Sequence, residues 1–79
     1  MNAKKYLKTF FSEKQLETQN YEIEGPSGIN LISNDVVIEH IMIASIKEQN
    51  QIAKTIMKID FMNGDVNHFL KHLAQGLVL

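Results

Sequence analysis

The chain of 79 residues contains no cysteine and no arginine. The lack of cysteine excludes disulfides, thiolate metal ligands and cysteine nucleophiles, and three histidines are few for a structural zinc site. A domain of this length buries only about 60 to 65% of its unfolded surface, so its core is marginal and oligomerisation is a common support. We therefore expect one small globular domain over residues 1–79, without a cofactor.

The charged residues are almost balanced in sign, with 9 acidic residues against 8 basic ones, and every basic residue is a lysine. Balanced charge produces no strong field that would attract nucleic acid or an anionic membrane. Arginine is the usual bidentate reader of guanine and phosphate, so its absence argues against sequence-specific recognition. The composition therefore disfavours a nucleic-acid partner.

The chain also lacks a long uninterrupted apolar run. Its densest apolar segment, Val36 to Ile46, contains Glu39 and His40 and is far shorter than the ~20 residues that span a bilayer. Near the N-terminus, Ser12 arrives before the ~7 to 15 apolar residues of an export signal could form. We expect a cytoplasmic protein with no membrane partner.

Helical spacing of apolar residues predicts a mostly α fold of three to four short helices. The first helix is predicted from Ala3 to Phe11, with Asn2 as its N-cap. Ser12 and Gln15 have the spacing of a capping box, which predicts a further helical turn that begins where the first helix ends.

A different pattern follows in the stretch "NYEIEGPSGINLIS". Tyr21 and Ile23 alternate with glutamates, and Ile29 and Leu31 are separated by one asparagine. The segment GPSG at 25–28 is typical of a turn. The pattern predicts a small β-hairpin or an extended loop. A hairpin must pack against helices, because an isolated two-stranded ribbon is marginally stable.

The motif "SND" at 33–35 provides N-cap residues for a second helix, predicted from about Asp35 to Ala44. Ser45 and Glu48 form another capping-box pair, which predicts a third helix from Ile46 to Met62.

The asparagine and glycine at 63–64 are suited to end this third helix. An alternative remains open within it, since Met57, Ile59 and Phe61 alternate with polar residues. A third strand near residues 55–61 would make the fold α+β.

The last segment predicts a fourth helix, opened by Asp65. Its apolar residues recur at helical spacing along one side: Val66, Phe69, Leu70, Leu73, Ala74 and Leu77. His68 and His72 are four residues apart, which would let both imidazoles meet one metal ion, with Asp65 nearby. Because both histidines project away from the apolar stripe, we interpret them as solvated, and metal binding through this face is kept as an alternative function.

The helix over 35–46 is apolar on nearly every side, so either the other helices surround it or one side meets a partner. Val36 and Ile43, seven residues apart, lie on a side that also carries polar and charged residues. The predicted partner-binding residues are Val36, Glu39, His40, Ile43 and Lys47.

These patterns predict a small, non-enzymatic interaction or regulatory module that self-associates or docks on a larger protein. No nucleophile elbow, phosphate loop or dinucleotide fingerprint occurs, so we expect no catalytic residues and no small-molecule substrate. A DNA-binding regulator of helix-turn-helix type is the other alternative, based on "EQNQIAKTIMK". It is disfavoured because Gly64 follows Ala53 too late for the required turn.

Overall fold

The computed structural model of the protein describes residues 2–78, apart from the side chain of Glu17. Within these residues four helices and one antiparallel hairpin follow one another along the chain. The elements are α1 (Ala3–Lys14), a short 3-10 turn (Leu16–Thr18), β1 (Asn20–Gly25), β2 (Gly28–Ser33), α2 (Asn34–Ile43), α3 (Ile46–Phe61) and α4 (Val66–Gly76). The prediction of a mostly α fold with a small hairpin is confirmed.

Helix α1 begins at the predicted N-cap, since the side-chain oxygen of Asn2 accepts a hydrogen bond from the backbone N–H of Lys5 at 3.1 Å. It continues past Phe11 to Lys14, so the predicted start at Ser12 is wrong, although the predicted further helical turn carrying Leu16 is present as the 3-10 turn. The backbone of Ser12 is helical, whereas an N-cap needs extended backbone. Gln15 instead ends the helix in the left-handed conformation at φ 53°, with its N–H bonded back to the carbonyl of Ser12 at 3.3 Å.

The hairpin forms as predicted, with Gly25 paired to Gly28 at its turn. Gly28 has φ +117°, a conformation that side chains with a Cβ rarely adopt. Alternation along β1 and β2 directs Ile23 into the core and leaves Ile29 and Leu31 on the outer face.

Helix α2 begins one residue earlier than predicted. The hydroxyl of Ser33 accepts a hydrogen bond from the backbone N–H of Val36 at 3.4 Å, so Ser33 is the N-cap and Asn34 is the first helical residue. Val37 and Ile41 lie on the buried side of this helix. Ala44, with extended backbone, separates it from α3.

Helix α3 begins at the predicted cap, where the Ser45 hydroxyl accepts a hydrogen bond from the backbone N–H of Glu48 at 3.1 Å. The helix is continuous through Phe61, and the alternative of a third strand near residues 55–61 is therefore wrong. A helix places Ile56 in the core and leaves Phe61 89% exposed, so the strand-like alternation does not describe which residues are buried.

The turn after α3 confirms the predicted role of the asparagine–glycine pair. Asn63 is left-handed at φ 53°, and the backbone N–H of Gly64 donates to the carbonyl of Ile59 at 2.8 Å. A Cβ at Gly64 would lie 2.9 Å from the Ile59 side chain, so glycine allows this close approach. The chain then enters α4, whose N-cap Asp65 accepts from the backbone N–H of Asn67 at 2.9 Å.

The apolar core contains residues from all four helices and from β1. The buried apolar residues are Ala3, Leu7, Phe10, Phe11, Ile23, Val37, Ile41, Ala53, Ile56, Val66, Leu70 and Ala74.

An ion pair between Lys14 Nζ and Asp60 Oδ1, 3.5 Å apart, joins the C-terminal ends of α1 and α3 at the surface. None of the helices within residues 2–78 combines the length and apolar character needed to cross a bilayer.

One buried polar network links the start of α2 to its neighbours. The Asn34 side chain is fully buried, and its Nδ2 donates to the carbonyl of Leu16 at 2.7 Å and to Oδ1 of Asn67 at 3.1 Å. The Tyr21 hydroxyl also donates to Oδ1 of Asn67, at 3.1 Å. The network therefore ties the 3-10 turn, β1, α2 and α4 together.

Replacing Leu70 with alanine should lower the free energy of unfolding by about 2 to 5 kcal/mol, because the side chain is fully buried and its loss leaves a cavity. His72→Ala, at an exposed position of the same helix, is the matched control and should change it by less than about 0.5 kcal/mol. Urea denaturation measures both values. Equal effects of the two substitutions would contradict the assignment of this helix face to the core.

Because of Tyr21, the free energy of unfolding should change with pH in the alkaline range. Burial raises the pKa of the Tyr21 phenol; the Asn34 amide acts to lower this pKa, and the negative charge of Asp65 to raise it. Because the folded-state pKa lies above the unfolded value of about 10, this stabilising contribution is complete below about pH 10 and is lost as pH rises through the folded-state value.

The stability advantage of the native chain over Tyr21→Phe should therefore shrink as pH is raised from about 8 to about 11. Urea denaturation at each pH measures the difference. Tyr6, whose pKa burial also raises, is retained in both proteins and does not affect the comparison. If the stability difference between the two proteins stays constant across this pH range, the ionisation of Tyr21 does not affect stability.

Candidate protein-interaction surface

Helix α2 is buried on one side and exposed on the other. Four of the five predicted partner-binding residues lie together on its exposed side, and we call them the α2 surface: Val36, Glu39, His40 and Ile43. Ile43 is 77% exposed and Val36 is 37% exposed. The fifth residue, Lys47, is exposed in the first turn of α3 and thus belongs to a different element.

The imidazole of His40 is oriented by its own helix. Its Nδ1 lies 2.9 Å from the carbonyl oxygen of Val36. Since a carbonyl only accepts hydrogen bonds, Nδ1 carries the proton in this contact. The other ring nitrogen, Nε2, is then the one available to a group outside the helix.

An apolar groove of about 280 Å³ runs beside the α2 surface, between α2, α3 and α4. His40 lines the groove and also belongs to the α2 surface, so the two are continuous. The groove is lined by Val37, His40, Ile41, Ala44, Glu48, Ile52, Leu73 and Leu77.

Sequence reasoning missed this groove, because Leu73 and Leu77 were assigned only to the core-facing apolar stripe of the last helix. The signal in the sequence that could have indicated the groove was the length of the apolar stripe on the fourth predicted helix. It reaches Leu77, one residue beyond the end of α4 at Gly76, and Leu77 remains 38% exposed. Apolar residues that extend past the covered part of a helix indicate a groove or a contact at that end.

A buried glutamine fixes the C-terminal end of α2 against α3. Gln49 Nε2 donates to the carbonyls of Ile41 and Met42, both at 3.0 Å. The last four carbonyls of a helix have no donor within the helix, so a side chain from a neighbouring element can supply one. Gln49 was missed in the polar stretch "EQNQ", although it shares a helical face with Ala53 and Ile56.

Other apolar side chains are also exposed. Ile29 and Leu31 lie on the outer face of the hairpin, where the residues paired with them are Glu24 and Glu22. Ile46, Phe61 and Met62 are exposed on or just after α3. Exposure alone therefore does not single out α2, and Ile46 also lines a cavity of about 450 Å³ whose other lining residues are mostly polar. The groove beside α2 differs in its mostly aliphatic lining.

The histidine pair of α4 faces solvent. His68 and His72 are both exposed, and Nε2 of His68 lies 3.5 Å from Oδ2 of Asp65. Among residues 2–78 no three histidine, aspartate or glutamate side chains come close enough together to hold a metal ion. The geometry at Asp65 and His68 is a single exposed contact between a carboxylate and an imidazole, which contributes little to stability.

The helix-turn-helix alternative required a turn soon after Ala53. In the structure α3 continues to Phe61, and the following helix places Val66, Leu70 and Ala74 in the core. Its exposed residues include Lys71 as the one basic residue beside the two histidines.

Comparison of the chain with protein-family models, with curated proteins and with solved structures gave no match in any of the three. A function for this chain therefore has to rest on the chemistry and geometry of the α2 surface and the groove.

Gln49→Ala should lower the free energy of unfolding by about 1 to 3 kcal/mol, because it removes the side-chain donor to two helix-terminal carbonyls and leaves Ile41 only its contact with the backbone N–H of Ala44 at 3.2 Å. Gln51→Ala, at an exposed position two residues away in the same helix, is the matched control and should have little effect. Urea denaturation gives the energies, and hydrogen exchange should show faster opening of α2 than of α1 in the Gln49 variant. Similar behaviour of the two variants would show that Gln49 does not position α2.

Proposed function

We propose that this protein is a non-enzymatic interaction module that binds a protein surface through the α2 surface and the groove beside it, with Lys47 at the edge. The observation that carries the proposal is the position of Ile43 and Val36. Both are exposed aliphatic side chains on a helix whose opposite side is buried, and the exposed side borders an apolar groove.

The shape of the groove supports a protein partner. A groove between helices, open along one side, fits the apolar side chains of another helix at successive turns. The groove of about 280 Å³ is close in volume to the smallest small-molecule sites of about 300 Å³, so volume does not decide between the two kinds of partner. The exposed Ile43 and Val36 beside it favour a protein partner, because they extend the apolar area beyond the groove.

The charged residues around the apolar centre also support this function. Glu39 and Glu48 are acidic and exposed, and Lys47 is basic and exposed. A centre of aliphatic residues with a mixed polar rim is typical of protein interfaces. On this basis the partner presents an apolar centre with charges of both signs, as a regulator's target or a second copy of the chain would.

A photo-activated cross-linking residue placed at Ile43 tests the proposal in cells. Ile29 is the matched control, because it is the same residue type and equally exposed, at 74% against 77%, but lies on the hairpin. We expect specific cross-linked products from position 43 that are absent from position 29. Adding Val36→Lys should abolish them, because a charge at the centre of an apolar contact must be desolvated.

Mass spectrometry identifies the cross-linked protein and the site of attachment. Equal products from positions 43 and 29, or none from position 43, would contradict an interaction through the α2 surface.

A further inference from the structure

We propose that this protein binds the surface of an anionic lipid membrane through the exposed side of α3. Lysines on this side contact the anionic headgroups, and two apolar side chains at its end enter the layer just below them. We call these residues the α3 lysine face: Lys47, Lys54, Lys58, Phe61 and Met62. The inference does not depend on the proposed function, because it concerns a different side of α3 from the one that borders the groove.

Helical spacing places the residues of the α3 lysine face together. Lys54 follows Lys47 by seven residues, which is two helical turns, and Phe61 follows Lys54 by seven more. Lys58 lies one turn after Lys54, and all of these side chains are exposed. From Lys47 to Phe61 the row is roughly 21 Å long, at 1.5 Å per residue.

The acidic residues of α3 lie on other sides of the helix. Glu48 is about 100° around the helix from Lys47 and lines the groove. Asp60 is directed toward α1, where it forms the ion pair with Lys14. Among residues 2–78, leaving aside the side chain of Glu17, neither Lys54 nor Lys58 forms an ion pair. The positive charge of this face is therefore not neutralised within the described part of the chain.

Helix α1 adds two lysines beside this face. The two helices run side by side in the same direction, since Lys4 lines one cavity with Ile46 and Asn50 at the start of α3, and the ion pair described above joins their ends. Lys8 is exposed one turn after Lys4. A flat anionic surface contacts lysines of both helices at once, so five of the 8 lysines of the chain are available to it.

The near balance of charge over the whole chain conceals this surface. The net charge is −1, but acidic residues are placed elsewhere, with Glu22 and Glu24 on the hairpin and Asp35 and Glu39 on α2. A membrane responds to the charges that face it, because salt screens the more distant ones within about 10 Å. Each lysine near an anionic membrane strengthens binding by about fivefold.

The apolar end of the face favours a membrane over nucleic acid. Phe61 and Met62 are both strongly exposed, next to Lys58 on the last turn of α3. Both side chains can enter the boundary between headgroups and acyl chains. A nucleic acid would stack a base on the ring of Phe61, but Met62 offers no ring for stacking. The chain also has no arginine, whereas lysine binds headgroups as a point charge that needs no fixed geometry.

The insertion of position 61 can be followed by fluorescence, because the native chain has no tryptophan. Phe61→Trp places a single reporter at the proposed contact. Vesicles of phosphatidylserine and phosphatidylcholine, added at about 50 mM salt, should shift its emission to shorter wavelength as the indole leaves water. Vesicles of phosphatidylcholine alone should leave the emission unchanged, because they carry no net charge.

Ile29→Trp is the matched reporter, since Ile29 is strongly exposed on the hairpin, away from α3, and its emission should not shift. Equal shifts at positions 29 and 61 would overturn the inference. No shift at position 61 with the anionic vesicles, or the same shift with phosphatidylcholine alone, would overturn it as well.

Substitution of the lysines tests the charge contact by cosedimentation with the anionic vesicles. Lys58→Gln should weaken binding about fivefold, and Lys54→Gln with Lys58→Gln about 25-fold. Lys71→Gln removes the same charge at an exposed position of α4, and it should weaken binding less than about twofold. Equal losses from Lys58→Gln and Lys71→Gln would show that only the net charge matters and that α3 does not face the membrane.

Nucleic acid is tested as the competing anionic partner in the same buffer. Duplex DNA and single-stranded RNA are titrated into the native chain and into the chain that carries Lys54→Gln and Lys58→Gln. We expect vesicle binding that is sensitive to these substitutions and no saturable binding of either nucleic acid. Saturable binding of DNA or RNA without binding of anionic vesicles would assign the α3 lysine face to nucleic acid and overturn the inference.

Discussion

The position of α2 depends on two buried amide side chains, one at each end of the helix. Asn34 bonds the start of α2 to the 3-10 turn and to α4, and Gln49 bonds the carbonyls at its end to α3. A buried amide that loses its partners costs free energy, so these bonds oppose sliding or rotation of the helix. An apolar helix without them could turn several sides toward the core at similar cost. Oδ1 of Asn34 finds no donor among the described residues, which is part of the cost of this arrangement.

This fixed orientation determines what the molecule presents to its surroundings. With Val37 and Ile41 held inside, Ile43 and Val36 must point outward. A chain of this length has few elements with which to cover a helix that is apolar on all sides. The remaining helices and the hairpin cover one side of α2 and leave the groove open along another. The candidate interface is thus a consequence of how α2 is anchored.

Local features of the sequence predicted the ends of most elements. Asn2, Ser45 and Asp65 each cap the helix that follows, because a side-chain oxygen needs only a backbone N–H two or three residues away. The boundary at Ser12 failed because a capping-box spacing also occurs inside a helix that continues. The alternation of Met57, Ile59 and Phe61 was ambiguous for a related reason, because a short apolar pattern can fit both the period of a strand and the period of a helix. The buried residues along the full length of α3 follow the helical period.

By itself, therefore, the sequence determined the helices, the hairpin and its glycine turn, since hydrogen bonds and periodicity within a few residues specify them. It also identified α2 as apolar on nearly every side, and it left open whether the other helices surround it or one side meets a partner. Only the tertiary structure decided that Gln49 is buried, that Leu73 and Ile52 border a groove, and that His40 joins this groove to the α2 surface. These properties depend on contacts between residues far apart in the chain, and the spacing of residues within one helix cannot specify which neighbour covers each side.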